Sequence, residues 1–109
     1  MEHKKALYII VNAGFADEIV EIACAEGADG ATIINARGGA AKPQTILGIT
    51  IDSEKEIVLT LVDSPIAIKI MTAIKEKAGI GTAAHGVCFF LPVDKMTGTA
   101  AANGDISGT

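Results

Sequence analysis

Four short apolar runs, each closed by turn-forming residues, alternate with two stretches of helical period. Residues 6–11 (ALYIIV) are a β-rich apolar run, closed by Asn12, Ala13 and Gly14. Over residues 17–26 the period changes: Ile19, Ile22, Ala23 and Glu26 recur at helical spacing, Asp17, Glu18 and Glu21 suit the positive end of a helix, and Gly27 stops it. Residues 31–36 (ATIINA) predict a second strand and residues 57–62 (IVLTLV) a third. Asp63, Ser64 and Pro65 then supply a cap and a favoured first helical residue. Ile66, Ile70 and Ile74 stripe one helical face, and Gly79 follows the basic end at Lys75 and Lys77. Residues 87–93 (VCFFLPV) make the fourth strand, with Pro92 near a sheet edge or exit.

The order β-α-β-β-α-β, in halves of similar length, predicts an α+β ferredoxin-like sandwich: a four-stranded antiparallel sheet with two helices on one face. In a lone two-layer sandwich the uncovered face is polar and the strands alternate. Here ALYIIV, IVLTLV and VCFFLPV are apolar on both faces. With no sequence left for a third layer, another subunit is the economical cover, so the pattern predicts a homo-oligomer.

The connection over residues 38–56 is too long for an ordinary hairpin. Its apex, Gly39, Ala40, Ala41, Lys42, Pro43 and Gln44, is the candidate partner-contact loop, and ILGITI at 46–51 reads as an extension of the hairpin. Residues 1–99 form the expected domain, and 100–109, small and polar, an expected poorly ordered tail.

At 109 residues and 50% hydrophobic content, the chain is one domain with a proper core. A net charge of −4 with scattered basic residues argues against a nucleic-acid surface. No apolar run approaches a membrane span and no signal peptide opens the chain, which predicts a cytoplasmic protein without membrane insertion. Cys24 and Cys88 form no CxxC pair and read as small reduced core residues.

Candidate chemistry concentrates in the uncharged loop from Gly79. Gly79, Gly81 and Gly86 allow close approach of backbone to a ligand, and amides from Ala84, His85, Gly86 and Val87 can serve as donors to an anion.

The element order, ATIINARGG before a long connection, and AHGVCFFLPV followed by Thr97 and Gly98 resemble the PII-type nitrogen regulatory proteins over about nine tenths of the chain. The resemblance implies a homotrimeric signalling protein, not an enzyme. Its sheets would line the centre, and ATP or ADP would bind between subunits. Its long loop would touch a target such as a membrane transporter. It implies a nucleotide site made of Thr32 and Leu61 beside the adenine, Arg37 and Gly38 at the start of the long loop, and Thr82, Ala84, His85, Gly86 and Val87 facing the phosphates. The chain departs from the family where a phosphate-binding lysine is replaced by Val87 and where paired arginines before Thr-Gly are absent, leaving Lys95 as the nearby cation in sequence. The departures favour AMP or ADP over ATP. The loop is also shortened, without the glutamine expected to reach Mg²⁺ or a modifiable tyrosine; bicarbonate and cyclic nucleotides stay open as ligands.

Other readings carry less. His85 and Cys88 are two ligands, too few for a metal centre. No nucleophile has a visible base. Phe89 and Phe90, being consecutive, point to opposite faces and make no RNA-stacking platform. Arg37 is open between a phosphate contact and an ion pair with Glu18 or Asp29. A constitutive oligomeric adaptor without nucleotide sensing is the alternative function.

Overall fold

The computed structural model describes residues 3–39, 44–46, 49–51, 53–98 and 107–108. Strand β1 (Lys4–Asn12) leads to α1 (Ala16–Ala25) and β2 (Thr32–Gly38). Two short strands, β3 (Gln44–Ile46) and β4 (Ile49–Ile51), pair with each other before β5 (Ser53–Asp63). Then come α2 (Ser64–Ala78), β6 (Val87–Pro92), β7 (Lys95–Met96) and β8 (Ser107–Gly108). The main sheet is antiparallel in the order β2-β5-β1-β6, the predicted ferredoxin-like arrangement.

Strand alternation assigns the two faces. Leu7, Ile9 and Val11 of β1 and Val58 and Val62 of β5 are buried beneath Ile19, Ile22, Ile70 and Ile74 of the helices. Both helices pack on this face and bury their apolar stripes against it. The other face carries Tyr8, Ile10, Ile34, Ile57, Leu59, Leu61, Val87, Phe89 and Leu91 by register and is bare in one chain. Leu61 is 45% and Leu91 50% exposed, large values for leucine side chains on a sheet face. Tyr8 and Phe89 stack there with ring centroids 5.2 Å apart, while Phe90 packs into the core.

Three expectations are corrected. The connection placed at 38–56 spans only 39–52, because Gly38 pairs with Ser53 and the polar segment from Ser53 is strand. Those side chains lie at the sheet's solvated end, so hydrophobicity gives no sign of the backbone ladder. The ILGITI segment carries the hairpin on as expected, in a separate two-stranded ladder: Gln44 pairs with Ile51 and Ile46 with Ile49, nested in the chain between Gly38 and Ser53. Asp63 makes no side-chain cap to α2; its carboxylate lies 3.1 Å from the Lys4 ammonium and 3.7 Å from His3. Cys24 is exposed on α1, and only Cys88 is partly buried. Of the expected tail, Ser107 and Gly108 pair with Met96 and Lys95, and the rest lies outside the described residues.

The start of α1 is capped from a distance. Phe15 provides no side-chain cap, and the Glu56 carboxylate instead accepts hydrogen bonds from the Gly14 amide (2.6 Å) and the Ala16 amide (3.3 Å).

Candidate functional site

The residues singled out in the sequence fall into groups at different ends of the bare face. Thr32 and Leu61 come together. With Ala6, Tyr8, Asp29 and Leu59 they line a concavity of about 490 Å³. Its wall before β2 is fixed by Thr60, the buried polar residue of β5, whose hydroxyl donates to the Gly30 carbonyl at 2.6 Å. A threonine hydroxyl beside apolar side chains is a suitable setting for the polar edge of a planar ring.

The loop from Gly79 to Val87 lies at the opposite end and on the opposite edge. Thr32 is level with Tyr8, whereas Val87 on β6 is level with Ile10. Three interstrand spacings and two residues of rise put Thr32 and Val87 roughly 16 Å apart. Within one chain they do not share a pocket.

The loop is held by its own bonds. The Thr82 amide (3.1 Å) and hydroxyl (2.7 Å) donate to the Gly79 carbonyl, and the His85 amide donates to the Thr82 carbonyl (3.1 Å). The Gly86 amide donates to the Ala78 carbonyl at 2.7 Å, closing the end of α2. Ala84 is 3% exposed. Of the four amides considered for an anion, those of His85 and Gly86 are therefore engaged, and that of Ala84 belongs to a buried residue. His85 adopts φ +51°, in the left-handed region, and its side chain is exposed. A methyl group on Gly86 would stand 2.5 Å from the Ala78 carbonyl oxygen, so close packing explains this glycine.

A residue that sequence reading missed stands beside this loop. The Lys55 ammonium donates to Asn12 Oδ1 at 2.6 Å, and Asn12 Nδ2 donates to the Ala83 carbonyl at 2.9 Å. Lys55 supplies a cation near the loop that Val87 does not. Lys95 follows the far end of β6, away from it. The available signal was the register: Lys55 has the parity of Ile57 and Leu59 and so shares the bare face. Arg37, opposite Glu54, and Gly38, opposite Ser53, close the same end at the β2 edge. Gly39 and Gln44 are described, whereas Ala40, Ala41, Lys42 and Pro43 lie outside the described residues.

Cys88 lines a separate concavity of about 510 Å³ between α2 and β6 with Met71, Ile74 and Ile80, and burial pushes its thiol up to about 11. Among the described residues no three His, Cys, Asp or Glu side chains group as metal ligands, and no helix is long and apolar enough to cross a membrane.

No protein-family model matches the chain, and no curated protein matches it. Among solved structures it is similar to a protein from Thermus thermophilus described as PII-like and signalling. Identity is 20%, the TM-score is 0.65, and the match covers 83% of this chain and 85% of that one. The chain therefore has the PII-like form of the ferredoxin-like fold.

Proposed function

We propose that this chain is a small signal-transduction protein that assembles as a homotrimer and binds an adenine nucleotide between subunits. In this reading it regulates a partner protein, such as a membrane transporter, through residues 39–52, and it is not an enzyme. The observation that supports the reading is that Thr32 and Leu61 line a concavity at one end of a bare apolar face and Lys55 stands at the other end. Thr32 and Leu61 line the base-sized concavity, while Lys55, Thr82 and His85 mark the anionic end. Two copies bring the first half of one chain to the second half of its neighbour and cover the apolar face in the same act. Lys55 is the cation hydrogen-bonded, among the described residues, to the partner of a loop whose His85 and Gly86 amides are used internally, which favours AMP or ADP over a triphosphate.

Calorimetric titration with AMP, ADP, ATP and cyclic nucleotides, paired with solution mass, tests this. Uptake of AMP or ADP by an oligomer is the expected outcome, with a rise in apparent stability. A monomer, or an oligomer whose stability no nucleotide changes, overturns the sensor reading. The second result favours a constitutive adaptor. One observation speaks for that alternative: the His85 and Gly86 amides are spent on the Thr82 and Ala78 carbonyls.

A further inference from the structure

Asn12, the last residue of β1, engages three partners at once. Its backbone amide donates to the Ala84 carbonyl and its Nδ2 to the Ala83 carbonyl, both at 2.9 Å, while Oδ1 accepts from the Lys55 ammonium at 2.6 Å. The next peptide continues the tie, with the Ala13 amide donating to the Glu54 carbonyl at 3.1 Å. Lys55 in turn lies against Gly38, its Cε only 3.3 Å from where a Cβ on that glycine would stand. A continuous line of contacts thus runs from the 82–86 loop to both strand ends that carry residues 39–52.

The chemistry of the holder matters as much as its reach. Here the acceptor is a neutral carboxamide, and among the described residues no carboxylate pairs with Lys55. A carboxamide donates to a carbonyl and accepts from an ammonium while staying uncharged, which neither an acid nor a hydroxyl of this reach does as well. The arrangement fixes a cation without neutralising it, as an anion-binding position requires.

We propose that Asn12 is a positioning residue. It presents the Lys55 ammonium, uncompensated, beside residues 82–86 to a phosphate-bearing ligand, and it makes that loop and the strand ends bearing residues 39–52 move as one unit. The ligand half rests on the nucleotide reading above; the mechanical half needs no ligand.

The mechanical half is tested on the full ligand-free chain by native-state hydrogen exchange of wild type, Asn12→Ala, Lys55→Met and the double variant. Lys55→Met, which loses one hydrogen bond, should speed exchange of the His85 and Gly86 amides about fivefold relative to Ile70 in α2, and Asn12→Ala, which loses two, should speed it further. The double variant should be no faster than Asn12→Ala, which already lacks the bond that Lys55→Met removes. Lys55 makes no hydrogen bond to residues 82–86, so an effect of Lys55→Met on those amides is what a purely local role does not give. Exchange of His85 and Gly86 within about twofold of wild type in Lys55→Met overturns the coupling. Asn12→Ser, whose short hydroxyl keeps a polar group at the site, replaces Asn12→Ala if that variant does not fold.

The ligand half is tested by titrating ADP into wild type and Asn12→Asp. The aspartate still holds Lys55 but neutralises it, so affinity should fall about tenfold or more. Equal affinity overturns the anion role. If wild type takes up no ADP, the nucleotide reading falls together with that role, and the exchange result still decides the mechanical tie.

Discussion

Replacing Gly86 by alanine puts a methyl group where the end of α2 leaves no room for one. The new Cβ would stand 2.5 Å from the Ala78 carbonyl oxygen and 3.5 Å from Ile74 Cγ2, and Ala78 is fully buried. The obstructing atom belongs to helix backbone, so it cannot swing aside as a side chain does. Relief requires the loop to retreat, and retreat breaks the 2.7 Å bond from the Gly86 amide to that same carbonyl. A buried carbonyl left without its partner costs about 1–3 kcal/mol. Residual overpacking adds about 1–3 kcal/mol. The two overlap, since moving away from the clash is what breaks the bond, so the expected loss is about 2–4 kcal/mol.

Equilibrium urea unfolding followed by far-UV circular dichroism measures this, at several protein concentrations because association raises apparent stability. With a slope of about 1–3 kcal/mol per molar urea, the midpoint should drop by about 1 M or more. Gly81→Ala is the control. It meets no atom within 4 Å but has φ +99°, so it carries only the left-handed backbone cost, about 1–2 kcal/mol. If Gly86→Ala unfolds at the wild-type midpoint, or loses less than Gly81→Ala, the packing argument is wrong and Gly86 reverts to a residue chosen for ligand approach. If the loss is as expected, a bulky substitution at Gly86 is no clean test of ligand binding.

Three further outcomes follow from the same geometry. Glu56→Ala removes the carboxylate that caps the Gly14 and Ala16 amides and should cost about 1–2 kcal/mol in thermal unfolding, with Glu56→Gln losing less. At pH 8 iodoacetamide should label exposed Cys24 well before Cys88, and Cys88 labelling should climb only toward about pH 11. Because that thiol is raised from 9.0 in the fold, its contribution to stability is present below about pH 9 and is lost as pH rises toward about 11; a Cys88→Ala variant whose stability falls equally steeply over that window contradicts the assignment. Phe89→Glu places a charge in the middle of the bare face and should give a monomer by light scattering at micromolar concentration, whereas an unchanged mass means that another surface holds the copies together.

The sequence disclosed what hydrophobic period can disclose. The sheet, both helices and the doubled apolar faces were legible because Leu7, Ile9 and Val11 alternate with Tyr8 and Ile10, and because Ile70 and Ile74 recur on one helical face. Strand ends were not legible. The ladder from Ser53 to Glu56 is made by backbone bonds, and a run of polar side chains on solvated strand reads as loop. Lys55 was missed for that reason: placed in a loop it has no face, and only the register with Asn12 and Ala36 gives it one. Gly86 shows the opposite failure. A glycine demanded by the Ala78 carbonyl and one demanded by a phosphate look alike in a sequence, and three-dimensional distance separates them.

The two half-sites also constrain how copies associate. Thr32 and Leu61 belong to β2 and β5, while the loop at 82–86 and Lys55 lie at the other end of the face, so joining unlike halves means that each chain gives one half and receives another. Any closed arrangement built on that contact, ring or face-to-face pair, creates as many clefts as chains. Saturation should therefore occur at one nucleotide per chain whatever the copy number. A well-defined plateau at half that ratio would mean that like halves meet across a symmetry axis, and Thr32 and Lys55 would then act on different ligands.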